Sequence, residues 1–575
     1  MGAVPMWMIK AVLAGLALIA QGAHAASPIP TGAEHAMVVS AHRLASDAGV
    51  AVLKKGGNAV DAAIAVAYAL AVTFPEAGNI GGGGFMTIRM HDGHQTFIDF
   101  RETAPGAATA NMYLDARGNV IPALSTRGHL AVGVPGTVAG LEFARAKYGT
   151  RPRAVLMAAA IRLAQSGFTL DQGDADFLNL GAADFNRDTP SAAIFRHRGK
   201  DWQKGDRFIQ SDLATSLKEI SAKGADAFYK GAIMRRIVAA SRANGGILTD
   251  SDFANYRAIE RTPIECDYRG YHIISAPLPS SGGIVICETL NILSGYRMAS
   301  LGFQSADSVH YMTEALRRAF HDRNVNLGDP GFVKVDVGRF ISPDYAAQLR
   351  TGISAKKATP SASLGIPGTT HEGSSTTHFS VVDAQGNAVS LTYTLNDWFG
   401  ARVTAAGTGI LLNDEMDDFS SKPGAANMFG LVEGANNAIA PGKRPLSSMS
   451  PTIVTKDGQL VLVLGTPGGS HIPTGVLQVM LNVIDHHMTI TEAVDAPRIH
   501  AQWLPDILYY EPYALCADTA AALTGRGHVL QPMGYENQIA AILVGGPAVG
   551  KAPQGRDTLF GAIDPRLPTG SVAGY

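Results

Sequence analysis

Cysteine is scarce in this chain. There are three in 575 residues, Cys266, Cys287 and Cys516. No CxxC pair and no zinc-ligand spacing links them, so the sequence encodes no zinc ribbon and no dithiol redox motif. An odd number leaves at least one thiol unbridged in an exported chain. The expectation is that all three are buried and inert, behaving as small hydrophobes. An excess of charge of one sign is also missing. The net charge is -2, which gives no electrostatic reason to expect nucleic acid or an anionic membrane surface as partner. Beyond the N-terminus, no apolar run reaches the ~20 residues that a membrane span requires. No internal repeat and no GxSxG elbow occur, which counts against an α/β-hydrolase. The glycine run 81–84 is followed by a strand pattern rather than by Lys-Ser or Lys-Thr and a helix, so it is no phosphate loop. It fits close backbone approach at the start of a strand.

What is present is a large apolar inventory, 46% hydrophobic residues, and 64 glycines. That excludes disorder and allows an extensive core with many tight turns. Residues 1–25 have the form of a secretion signal. Lys10 precedes a ten-residue apolar stretch, and Ala23-His24-Ala25 fits small-x-small cleavage, so the mature chain is expected to begin at Ala26. Helix patterns follow at 42–73, interrupted at Gly56-Gly57-Asn58, and at 154–165, 211–223, 231–244, 284–293 and 308–323. Strand pairs are expected at 85–90 with 95–100, and at 452–455 with 460–464. The stretch 351–375 is polar, small and unpatterned, and reads as a mobile surface loop. Hairpins in both halves with helices between them predict an α+β fold, a sandwich of antiparallel sheets faced by helices.

That loop ends at Gly373-Ser374-Ser375-Thr376-Thr377, where a strand–turn–strand pattern through Asn396 begins. A threonine inside a chain is a poor nucleophile. At a new N-terminus its own α-amine can serve as the base. Taken alone, Thr-Thr is ordinary β-branched strand material. The adjacent His486 and His487 do not face one site on a helix and are read as caps of a helix C-terminus. Asp322 and Arg323 are read as a structural ion pair.

Several segments taken together, in this order, resemble the γ-glutamyltransferase (γ-glutamyltranspeptidase) family across the whole mature chain. They are Gly56-Gly57-Asn58-Ala59-Val60-Asp61, Gly78-Asn79-Ile80-Gly81-Gly82-Gly83-Gly84, Asp99-Phe100-Arg101-Glu102, Thr376-Thr377-His378-Phe379-Ser380, Pro445-Leu446-Ser447-Ser448-Met449-Ser450-Pro451, Gly465-Thr466-Pro467-Gly468-Gly469-Ser470 and Asp564-Pro565-Arg566. The resemblance implies an N-terminal-nucleophile hydrolase fold in four layers, αββα. It implies a precursor that cuts itself between Ser375 and Thr376 into a large subunit, 26–375, and a small one, 376–575, which stay together as a heterodimer.

By the same resemblance Thr376 is the nucleophile, Thr394 holds its hydroxyl or amine, and Gly468 and Gly469 supply oxyanion N–H groups. Arg101, Ser447 and Ser448 suit the α-carboxylate of a γ-glutamyl substrate, Glu415 and Asp418 suit its α-ammonium, and Asn396 bonds either end. The stretch 423–441 corresponds to a lid in related enzymes. Its Phe429 stands where many bacterial relatives carry tyrosine, so a hydroxyl bond to Asn396 is expected to be missing. Substrates would be glutathione and similar γ-glutamyl amides, with water, amino acids or dipeptides as acceptors. No cofactor, metal or nucleic acid is implied, and the location would be periplasmic or extracellular. Two other readings stand beside this one: a glutaryl-type β-lactam acylase of the same fold, whose substrate lacks the amine, and a catalytically silent binding relative.

Overall fold

In the computed structural model, residues 28–365, 376–545 and 558–575 are described. The signal-like segment and Ser375 lie outside them. The N-terminal half contributes strands β1 (Thr31–Ala33), β2 (Met37–Ser40), β3 (Gly83–Arg89), β4 (Gln95–Asp99), β5 (Ile259–Arg261), β6 (Ile264–Tyr268) and β7 (Tyr271–Ser275). The C-terminal half contributes β8 (Thr377–Val382), β9 (Ala388–Thr394), β10 (Thr452–Lys456), β11 (Gln459–Gly465), β12 (Ala540–Val544), β13 (Leu559–Ile563) and β14 (Ser571–Gly574). They form two seven-stranded sheets, ordered β14-β2-β8-β9-β3-β4-β5 and β1-β13-β12-β11-β10-β7-β6. Each sheet interleaves strands from both halves of the chain, and neighbours are antiparallel throughout.

The two sheets face each other through Met37, Val39 and Val382 on one side and Ile274, Ile453, Val463 and Ile542 on the other. Helices cover the outer faces. They include α1 (Arg43–Lys54), α2 (Ala59–Thr73), α3 (Arg153–Ser166), α4 (Gly282–Leu293), α5 (Ala306–Asn326) and α6 (His471–Ile484). Helices α1 and α2 pack on the first sheet, α4 and α6 on the second. The result is the expected four-layer αββα sandwich. Every residue of α2 is buried, because it lies between the sheet and the helices α1 and α3. Small alanine side chains allow that close approach. The interruption between α1 and α2 is a capping box: Asn58 Oδ1 accepts from Asp61 N at 2.9 Å and Asp61 Oδ2 from Asn58 N at 3.1 Å. No helix among the described residues is long and apolar enough to cross a membrane.

The expectation of three inert, buried cysteines is wrong. Cys266 on β6 and Cys287 on α4 form a disulfide, and Cys516 is free and exposed. The bridge ties α4 to the edge strand of the second sheet, a proximity that a separation of 21 residues does not reveal in sequence. Closing a loop of that size restricts the unfolded chain by about 3 kcal/mol. The double variant Cys266→Ser/Cys287→Ser should therefore unfold at clearly lower urea than the parent. An unchanged midpoint would show that the bridge carries no stability.

The polar stretch after helix Pro343–Thr351 also differs from the loose loop expected. Residues 359–361 are anchored: Thr359 N donates to Glu314 Oε1 at 3.0 Å, Ser361 N to Asp506 Oδ2 at 2.7 Å, and Trp503 Nε1 to Ser361 O at 3.1 Å. Local composition carries no sign of such distant polar partners. Residues 366–375, which complete that stretch, lie outside the described residues. His486 and His487 follow the end of α6, but burial pushes the His486 pKa down, so His486 is not the cationic cap expected there.

Candidate active site

The hairpin β8–β9 sets the centre of the site. Its register pairs Thr377 with Tyr393, which brings Thr376, just before β8, opposite Thr394 at the end of β9. The Thr376 hydroxyl donates to Thr394 Oγ1 at 3.4 Å. Thr394 Oγ1 in turn accepts from Asn396 N at 2.8 Å, and its carbonyl accepts from Asn79 Nδ2 at 2.8 Å. Asn396 is held at φ +82, a left-handed conformation that a non-glycine residue adopts at a cost, and one that clusters at functional sites. The glycine run lies against this hairpin. A Cβ on Gly82 would stand 2.0 Å from Thr394 O, and one on Gly81 2.1 Å from Leu411 O. That is the close backbone approach expected of it.

Thr376, Thr394 and Asn396 share a narrow cleft with Arg101, Glu415, Asp418, Ser447, Ser448 and Gly469. Nine of the ten candidate catalytic and binding residues named from sequence thus line one site. Gly468, the tenth, directly precedes Gly469 at the turn into α6. Gly468 and Gly469 have φ +130 and +53, a pair of conformations that disfavours side chains. Their carbonyls accept from His471 N and Ile472 N at 2.9 and 3.2 Å, while no hydrogen bond among the described residues takes up their N–H groups. Two such N–H groups at a helix N-terminus are suited to a developing oxyanion.

Arg101 is the electrostatic centre. It is 1% exposed, and its two Nη atoms pair with Glu415 and Asp418. Glu102 lies 3.8 Å away and is buried as well. Nε donates to Pro445 O at 3.3 Å, which joins Arg101 to the segment that carries Ser447 and Ser448. The roles expected of separate charges are therefore combined: the carboxylates suited to an ammonium hold the guanidinium suited to a carboxylate. Burial would pull the Arg101 pKa down, but Glu415, Asp418 and Glu102 outweigh it and keep the group charged. Burial pushes Glu415 and Asp418 up, with Arg101 opposing. Three carboxylates crowd one guanidinium, and their mutual repulsion adds to burial in favouring the protonated form of the cluster.

Burial also raises Glu102 to about 7 and Asp417 to about 6. A carboxyl with a raised folded-state pKa contributes stability that is fully present below the unfolded value, near 4, and lost as pH rises through 6 and 7. Glu102→Gln removes one such titration. The difference in melting temperature, variant minus parent, should rise between pH 5 and pH 8. A flat difference would contradict the assignment.

Asp417 also accepts from Ser125 Oγ at 2.5 Å and from Met428 N at 2.9 Å, so it ties the acidic turn Glu415–Asp418 to the 423–441 segment. Phe429 in that segment is buried and packs on Gly469, where an added Cβ would meet its ring at 2.2 Å. The hydroxyl bond expected to be missing is replaced. Asn396 Nδ2 donates to Asp414 O at 3.1 Å and to the Met428 sulfur at 3.6 Å.

Arg323 was missed as a site residue and mispaired. It lines the cleft and pairs with Glu433, not with Asp322, whose carboxylate accepts from Tyr345 Oη at 2.6 Å. Adjacent residues on a helix point in different directions, and that rule was the available signal.

The family model for gamma-glutamyltranspeptidase matches residues 45–573. The chain belongs to the gamma-glutamyltranspeptidase family. It is 57% identical over 570 residues to the glutathione hydrolase proenzyme of Pseudomonas sp. (strain A14), covering 98% of this chain and 99% of that one. It is 47% identical over 580 residues to the glutathione hydrolase proenzyme of Escherichia coli (strain K12), covering 99% and 98%. Among solved structures, a cephalosporin acylase from Bacillus halodurans superposes with a TM-score of 0.83 at 29% identity, covering 97% of this chain and 98% of that one. The family's N-terminal-nucleophile architecture is the four-layer sandwich described above.

Proposed function

We propose that this gamma-glutamyltranspeptidase family member is a self-processing γ-glutamyltransferase with glutathione hydrolase activity. The observation that carries the proposal is the register that sets Thr376 against Thr394, in a cleft whose other polar groups match a glutamyl end.

In the precursor, the Thr376 hydroxyl attacks the Ser375 carbonyl carbon. The C–N bond breaks, an ester forms, and the α-amine of Thr376 is released. Water then hydrolyses the ester, leaving a Ser375 carboxylate and a free Thr376 hydroxyl. The large subunit, 26–375, and the small one, 376–575, remain one fold, because both sheets are built from strands of each.

In the mature enzyme the freed α-amine takes the hydroxyl proton as Thr376 Oγ1 attacks the γ-carbonyl of the donor. The Gly468 and Gly469 N–H groups face the oxyanion. Collapse passes the proton to the departing amine and leaves a γ-glutamyl ester on Thr376. Water or the amine of an amino acid or dipeptide then takes the acyl group by the reverse route. The donor's ammonium enters among Glu415 and Asp418, and its carboxylate approaches Arg101, Ser447 and Ser448. The buried excess of carboxylates supports a donor that carries an ammonium, and counts against a glutaryl donor, which would add another negative charge there. With an export signal at 1–25, the enzyme would act in the periplasm or outside the cell.

The test is dye release from L-γ-glutamyl-p-nitroanilide, with and without glycylglycine, beside glutaryl-p-nitroanilide. Release from the γ-glutamyl compound, faster with the dipeptide, is the expected result. Faster release from the glutaryl compound would support the acylase reading, and no release from either the silent binder.

A further inference from the structure

Arg323 brings a second guanidinium into the cleft, and none of the steps above uses it. It sits in the last turn of α5, 1% exposed. Its Nη1 pairs with Glu433 and donates to Asn324 Oδ1 at 3.1 Å. Nε donates to Ser281 Oγ at 3.3 Å, and Nη2 to Ser448 Oγ at 3.5 Å. A guanidinium has five N–H donors. Four are engaged in this way, and the fifth is the second Nη2 hydrogen, on a residue that lines the cleft with Thr376 and Ser448.

The partners of Arg323 hold the carboxylate end of the site. The Ser281 N and Oγ both donate to Ser447 O, at 2.8 and 2.7 Å. Glu433 accepts from Asn437 Nδ2. Asn437 in turn donates to Asp418 O at 2.6 Å and accepts from Leu446 N at 3.0 Å. The end of α5 also grips the base of the 423–441 segment, through Gly434 N to Asn324 O at 3.1 Å and Asn436 Nδ2 to Asn326 O at 3.0 Å.

The two guanidiniums differ in how far they are neutralised. Arg101 has two carboxylates in direct contact and a third at 3.8 Å. Arg323 has one, Glu433. A carboxylate arriving at Ser447 and Ser448 therefore meets one cation that is already over-matched and one that is not. We infer that Arg323 is the second cation of the donor's α-carboxylate subsite, acting through Ser448 Oγ and its remaining Nη2 hydrogen, and that through Glu433 it ties this subsite to the base of the 423–441 segment. The inference rests on the γ-glutamyl reading of the cleft. It makes the subsite depend on two residues from before the proposed cut, Arg101 and Arg323, and on two from after it, Ser447 and Ser448.

Binding calorimetry with L-glutamate and 4-aminobutyrate tests it, because the second ligand is the first without its α-carboxylate. Arg323→Gln should weaken L-glutamate about ten- to hundredfold, the range for a lost charge-assisted hydrogen bond, and 4-aminobutyrate less than about twofold. Arg323→Lys, which keeps charge but not the fork, should fall between and serves if the glutamine variant does not fold. In turnover of L-γ-glutamyl-p-nitroanilide, KM should rise by the same factor while kcat changes little. Equal losses for both ligands would mean a merely structural role and overturn the inference, as would no loss for either. A parent protein that binds L-glutamate but releases no dye would overturn the transferase reading and leave the ligand comparison decisive. One that does not bind L-glutamate would overturn both.

Discussion

Replacing Thr376 with alanine is expected to leave the purified protein as a single uncut chain and to lower dye release by about 10⁴-fold or more, the scale of losing a catalytic nucleophile. One side chain is asked to act twice, first on its own backbone and then on the donor. Both acts need the hydroxyl held beside Thr394, and the second also needs the α-amine that the first releases. Thr376→Ser separates this from a packing effect, since it removes a methyl group but keeps the hydroxyl. It should still cut itself and retain measurable turnover. A Thr376→Ala protein that is cleaved between Ser375 and Ala, or that turns over normally, would show that the nucleophile lies elsewhere.

Gly469→Ala should lower kcat by about a hundredfold or more with a much smaller effect on KM, the signature of a lost oxyanion donor. Two features compound there. The residue has φ +53, which an L side chain adopts only with strain, and its Cβ would stand 2.2 Å from Phe429 Cδ1. Either the ring or the turn must move, and the Gly468–Gly469 N–H groups move with the turn. Gly458→Ala is the control. It also has a positive φ, +76, but open space around it, so it should cost only the conformational ~1 kcal/mol and leave kcat unchanged. Equal kcat for Gly469→Ala and its parent would remove these N–H groups from the mechanism.

Much of this site was legible because its residues lie in short, ordered motifs. Gly56-Gly57-Asn58 ends one helix and caps the next through local bonds. The glycine run 81–84 is fixed by its lack of side chains. The 376–396 hairpin follows from alternation and a turn, and its register then brings Thr376 to Thr394. What stayed hidden depends on contacts between distant segments. The Cys266–Cys287 bridge needs β6 and α4 to be neighbours. The anchoring of Ser361 needs Asp506. The clustering of Arg101 with Glu415 and Asp418 joins residues more than 300 positions apart, and composition cannot say that a cation and its intended ligand's other partners meet in one cleft. Arg323 is the instructive case: its neighbour in sequence, Asp322, looked like a partner, whereas its partner in space is Glu433.

Intact-mass spectrometry of the purified protein, with N-terminal sequencing of each component, tests the central claim most directly. The account predicts two components, the smaller spanning 376–575 and beginning with Thr376. A single uncut chain in a protein that releases dye, or a smaller component beginning at another residue, would contradict it.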